Sequence, residues 1–216
     1  MDSGDMLDLS LNEVENLAMK AARGAGLSWG QAEDLGRAAR WLAGEGCDWA
    51  SDLLALLESP DLHDPDRCAA TAGLGLADRL PALSPGEVIR TGPLSMPRWL
   101  LPTLAHAAIA HGATLSGEVG DLAFSCDAGG LRLSAPLASL PHGVCEARLC
   151  RTARAEPLAH GLLRQPRSAT RASVLARLEH YIHRTYVPNS EKSRLRGAGA
   201  PGGIAGQAAG LPAGQS

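Results

Sequence analysis

The sequence predicts an α+β fold: an N-terminal helical hairpin and further helices, a short antiparallel sheet in the middle, a C-terminal helix and a disordered tail. Three observations predict it. Apolar residues recur at helical spacing from residue 11 to about 58, strict alternation replaces that spacing after Gly112, and helical spacing returns at 168–186. Helices grouped apart from strands argue against an alternating doubly wound sheet. Residues 1–196 are expected to form a single globular domain, and 197–216 a Gly/Ala/Pro tail.

Each element has its own signal. Ser10 with Glu13 reads as a capping box, followed by Leu11, Val14, Leu17, Ala18 and Ala21 on one helical stripe. Gly24 and Gly26 end that helix, as glycine does where the chain turns left-handed. Ser28 with Gln31 caps a second helix, with Trp29, Ala32, Leu35, Gly36, Ala39 and Leu42 expected on its inner face. Its small residues suit close packing against Ala18, Ala21 and Ala22, giving an antiparallel hairpin. A third helix follows over about 50–58. Residues 67–80 read as a short helix weakened by Gly73 and Gly75, and 97–111 as a helix kinked at Pro102 or beginning there. Leu122, Phe124 and Cys126, then Leu131 and Leu133, alternate around Asp127-Ala-Gly-Gly and predict a hairpin. Residues 144–150 and 113–119 supply further strands. The helix predicted at 168–186 is capped by Ser168 or Thr170 and turns Val174, Leu175, Leu178, Tyr181 and Ile182 inward. The last 20 residues lack apolar periodicity and cannot offset their ordering entropy.

Composition narrows the function classes. The chain has 216 residues, 45% of them hydrophobic but only 3% aromatic, so Ala and Leu dominate the apolar content and close helix contacts must replace large rings. The net charge of -3 hides an asymmetry: residues 1–60 hold 11 acids against 4 bases, and 148–196 hold 11 bases against 3 acids. These stretches either attract each other across the fold, or the basic one receives an anion, a nucleic acid or an acidic partner. Five cysteines without a C-x-x-C pair, and an acidic N-terminus without an apolar run, predict a reduced, cytoplasmic protein. No apolar run is long enough to span a bilayer.

The motifs are few. The stretch 20–30 (KAARGAGLSWG) sets two glycines beside Lys20 and Arg23 just before a helix start, where backbone N–H groups can hold a phosphate or carboxylate. The plainer alternative is a C-cap, a turn and an N-cap, since neither a P-loop nor G-x-G-x-x-G spacing occurs. A DNA-reading helix-turn-helix would lie in the acidic half with only Gln31, Arg37 and Arg40 as contacts, which argues against it. His180 and His183 lack companion ligands and His180 shares its stripe with Arg177 and Arg184, so no metal is expected. That stripe, near Tyr186, Arg194 and Arg196, suits an anion better. No nucleophile signature is present, and each cysteine is expected to fill space.

Residues 9–46 and 183–200 (HRTYVPNSEKSRLRGAGA) resemble the opening and closing signatures of a bacterial family carried as a domain of unknown function, number 3726. The resemblance runs through most of the chain and is specific at these two ends. In that family the closing GAGA continues into a Gly-Leu-Ser-Asp-Asn-Asp-like end; here Pro201-Gly-Gly-Ile opens a low-complexity extension, and those carboxylates are absent. The family implies no reaction.

The first functional expectation is a protein binding a small anionic metabolite, an enzyme of amino-acid or carboxylic-acid metabolism being one form of it. Arg23, Gly24, Gly26, Arg184 and Arg194 would hold the anion in a pocket shared by the glycine turn and the C-terminal arm. Lys20, His183 and Tyr186 are the candidates for proton transfer. No cofactor is implied. The alternative is an accessory protein that docks on a partner enzyme through the basic helix and tail. Neither a nucleic acid nor a membrane is an expected partner.

Overall fold

Serine at position 10 fixes where the first helix begins. In the computed structural model, which describes residues 5–140, 142–160 and 165–186, the Ser10 hydroxyl accepts from the Glu13 N–H while the Glu13 carboxylate accepts from the Ser10 N–H at 2.8 Å. The helix α1 runs over Leu11–Gly24. Ser28 and Gln31 repeat the arrangement at the start of α2, Trp29–Gly44. Ala18, Ala21 and Ala22 of α1 and Ala32, Gly36 and Ala39 of α2 are all buried, as the small-residue pattern predicts. At Gly36 an added Cβ would lie 2.8 Å from the Glu15 carbonyl oxygen, so glycine sets how closely the two helices approach. Trp29 departs from the expectation. It is 62% exposed, because at the first turn of α2 its ring lies outside the hairpin seam.

Three helices complete the first half: α3, Trp49–Leu57; α4, Ala69–Arg79; and α5, Leu100–His111. A single 3-10 turn over Pro97–Trp99 leads into α5. Pro102 then falls in the first α-helical turn, where a missing N–H costs little, so the helix starts before it. In α4, Gly73 abuts the Thr103 side chain, whereas an alanine methyl at Gly75 would meet nothing within 4 Å. Gly75→Ala is therefore expected to raise stability by about 0.5–1 kcal/mol through helix propensity alone, read as a higher midpoint in thermal unfolding.

The central sheet is antiparallel throughout. Its strands are β2 (Val88–Arg90), β3 (Leu115–Val119), β4 (Leu122–Asp127), β5 (Gly130–Leu133) and β6 (Ala147–Arg151), in the order β2-β6-β3-β4-β5. The predicted hairpin is β4–β5, with Cys126 opposite Leu131. Leu115, Phe124, Cys126, Leu133 and Leu149 are buried in the same core as Trp49, Trp99 and the helices. Three large rings thus anchor a core otherwise built from Ala and Leu.

A second sheet differs from the sequence reading. Residues Met6–Ser10 form β1 and pair antiparallel with β7, Arg167–Arg171. The final helix, α6, spans Ala172–His183, so Ser168 and Thr170 are not its caps. Both are buried in the ladder, and α6 begins at Arg171 without any side-chain cap. Leu175, Leu178 and Ile182 face the core as predicted, and Val174 and Tyr181 pack against it. The charged stretches also meet: Arg167 of β7 pairs with Asp8 of β1, and Arg177 of α6 with Glu58 at the end of α3, at 2.6 Å. Part of the charge asymmetry is thus internal pairing. The chain divides into two units, Met1–Thr185 and Tyr186–Ser216, and every element above belongs to the first. The expected tail at 197–216 lies outside the described residues. No helix among the described residues is long and apolar enough to cross a membrane.

Candidate functional site

The turn between α1 and α2 uses its cation locally. Arg23 donates to the Leu27 carbonyl oxygen, and its guanidinium carbon stands 4.7 Å over the Trp29 ring. Gly26 adopts a φ of +100°, which suits glycine at this turn. Gly24 does meet the last helix: a methyl there would overlap the Tyr181 carbonyl oxygen, so α1 and α6 touch backbone to backbone. Beyond that contact Arg184 stacks over Tyr181 at 4.8 Å, and its Nη2 lies 3.1 Å from His180 Nε2. Lys20, His183 and Tyr186 are exposed. Arg194 lies outside the described residues. The two regions therefore approach each other at Gly24 and Tyr181, and what joins them there is close packing.

The described clefts lie elsewhere, and none of the five is lined by Lys20, Arg23, Gly24, Gly26, His183 or Arg184. The largest, about 570 Å³, opens between α2 and α5, with Gly130, Leu131, Gln165 and Pro166 at its edge. Helical spacing places the α2 residues that line this cleft and the one beside it. Asp34, Arg37, Ala38 and Trp41 follow one another at i, i+3, i+4 and i+7, so they share a face of α2, while Leu35, Ala39 and Leu42 point into the core. From α5, His106 and the 48%-exposed Ile109 form the opposite wall. A second cleft adjoins it, with Arg37, Trp41, His106 and Ile109 common to both, and reaches Asp78 of α4. Together they make one trough across α2, α4 and α5.

The charges in this trough are loosely held. Arg37 pairs with Asp34 and, at 3.6 Å, with Glu33; Arg40 pairs with Glu15 at 2.9 Å and with Asn12. The partners are about one third to one half exposed, so each pair is worth only about 0–1 kcal/mol. An incoming carboxylate can exchange with them at small cost. Residues 9–79 match the family model described as "Protein of unknown function (DUF3726)". No curated protein and no solved structure matches the chain. The DUF3726 match runs from β1 to the end of α4. It takes in Asp34, Arg37, Arg40, Trp41 and Asp78, as well as Lys20, Arg23, Gly24 and Gly26; the α5 wall and the C-terminal arm lie beyond it.

One buried polar cluster went unseen in the sequence. Asp52, 6% exposed on α3, receives Arg98 Nη1 on Oδ2 at 3.3 Å, and His142 Nδ1 lies 3.3 Å from its Oδ1. Arg98 also donates to the carbonyl oxygens of Leu140 and Ala138. Burial raises the Asp52 pKa, and the charges of Arg98 and His142 only partly oppose it. With its donors engaged on three partners, Arg98 acts as a clamp holding Ala138 and Leu140 to α3. An acid within ASDLLALLE was the available signal, since a lone carboxylate in an apolar helical run needs a partner. Nearby, burial pushes the Cys47 thiol up to about 11, and it does the same at Cys126. These two cysteines are space-filling thiols at neutral pH, not nucleophiles. No group of three or more His, Cys, Asp or Glu suited to a metal ion occurs among the described residues.

Proposed function

We propose that the chain binds a small organic anion, a carboxylate, in the cleft between α2 and α5. The observation that carries this is the convergence of Arg37, Arg40 and His106 on one cleft of about 570 Å³ beside the Trp41 ring. That size lies within the usual range for small-molecule sites, which are largely apolar with a few polar groups fixing orientation. A guanidinium fork holds a carboxylate through paired N–H···O bonds, and Trp41 and Ile109 offer apolar contact to its hydrocarbon part. The reading keeps the anionic ligand expected from the sequence and moves it from the glycine turn, where Arg23 already has partners, to the outer face of α2.

The test is titration of the purified chain with straight-chain carboxylates from butyrate to octanoate, followed by calorimetry or NMR shifts. Binding is expected in the wild type and should weaken on the order of 10- to 100-fold in Arg37→Gln/Arg40→Gln, as charge-assisted hydrogen bonds of about 1.5–3 kcal/mol are lost. Lys20→Gln/Arg184→Gln should leave it unchanged. A reversal of those two results would return the ligand to the region of the glycine turn.

A further inference from the structure

Charge balance along the trough refines the ligand. The two adjoining clefts are lined by four carboxylates, Glu15, Asp34, Glu45 and Asp78, against the two guanidinium groups of Arg37 and Arg40. A ligand that is only anionic would gain at the arginines and be repelled by this excess of acid. Two acids stand at each end, and they differ in what they already hold: Glu15, at the Arg40 end with Glu45, is paired with Arg40. Asp34 and Asp78 stand together at one end, lining both the second cleft and a third of about 490 Å³, whereas Arg40 lies at the other. Asp34 is already paired with Arg37. Asp78 is exposed at the end of α4, and no cation lies within ion-pair distance of it among the described residues.

We infer that the ligand carries a positive group as well as a carboxylate, with Asp78 receiving the cation and Arg40 the anion, so that its class is an amino acid with separated charges. This rests on the carboxylate reading above. Asp34 and Arg40 are six residues apart on α2, about 9 Å along the helix axis. Trp41 and Ile109 line the shared wall between the ends, where an alkyl chain would lie. A zwitterion at least that long sets its cation at Asp78, which lines the same end as Asp34, and its carboxylate at Arg40. It also leaves the Asp34–Arg37 pair in place, because its two ends bracket that pair rather than displace it.

The experiment compares ω-amino acids from 4-aminobutyrate to 8-aminooctanoate with the unsubstituted carboxylates and alkylamines of the same length, on the full chain, by calorimetry. At least one ω-amino acid is expected to bind tenfold or more tightly than its matched carboxylate, and Asp78→Asn should remove that advantage without weakening carboxylate binding. Asp78 is exposed, so this substitution tests the contact rather than the fold. If carboxylates bind as well as every ω-amino acid and Asp78→Asn changes nothing, the zwitterion inference falls and the carboxylate reading stands. If alkylamines bind as tightly as ω-amino acids, or if nothing binds at millimolar concentration, both fall.

Discussion

Gly24→Ala is expected to cost about 3 kcal/mol of stability, although alanine favours a helix over glycine by about 1 kcal/mol. Position 24 is the last residue of α1, and its α-carbon faces the backbone of α6 at Tyr181. A methyl there would overlap the Tyr181 carbonyl oxygen. The obstacle is main chain, which cannot rotate aside as a side-chain tip can, so α6 must shift or the α1 end must unwind. Either response disturbs Leu178 and Ile182, both buried in the common core. Gly30→Ala is the matched control: it lies in the first turn of α2, where a methyl meets nothing within 4 Å. Urea unfolding should show a lower midpoint with an unchanged slope for Gly24→Ala, and no loss for Gly30→Ala. A Gly24→Ala protein within 1 kcal/mol of the wild type would mean that the α1–α6 crossing is not close-packed.

Gly24 also shows what the sequence could reveal. That a glycine ends α1 is a local fact, written in the capping boxes and spacing around it, and the hairpin was legible for that reason. That the same glycine admits another helix is not local, because its neighbour lies more than 150 residues away. The ladder of β1 with β7 was hidden in the same way. Ser168 and Thr170 look like helix caps to any reading confined to neighbouring residues, and only pairing with Met6–Ser10 makes them strand. Wheel position alone predicts Trp29 inward, yet at the first turn of a helix the wheel does not decide which residues the partner helix reaches.

The candidate site divides along the same line. Arg37 and Arg40 were visible as exposed cations of α2, but nothing in the spacing said that α5 would lie opposite with His106 and Ile109. Asp52 and Arg98 are 46 residues apart and meet only because the fold sets the Arg98 side chain, from the 3-10 turn before α5, against α3. Local signals therefore located the helices and their polar faces. Which polar faces oppose each other to form a cleft, and which charges are buried together, is set by packing between distant segments.

Arg98→Met is expected to be the most damaging change at a charged position, costing about 3–5 kcal/mol near neutral pH. Methionine keeps much of the side-chain volume, so the loss is electrostatic. It strands the Asp52 carboxylate in a buried site and leaves the carbonyl oxygens of Leu140 and Ala138 without their donor. The pH dependence identifies the cause. Burial already holds the Asp52 pKa above its ordinary value with Arg98 present, and removing the cation takes away the largest opposing influence, so the pKa climbs further. A carboxyl whose folded pKa lies above its unfolded one, about 3.9, costs stability as pH rises from the unfolded value through the folded one. Below both values the group is protonated in each state and the cost vanishes. The deficit of Arg98→Met should thus be greatest at pH 7 and shrink as pH falls towards about 4, leaving the smaller share due to the two carbonyls. Adding Asp52→Asn should recover part of the loss at pH 7 and little at pH 4. Equal deficits at both pH values would show that the clamp on Ala138 and Leu140, and not the buried carboxylate, carries the effect.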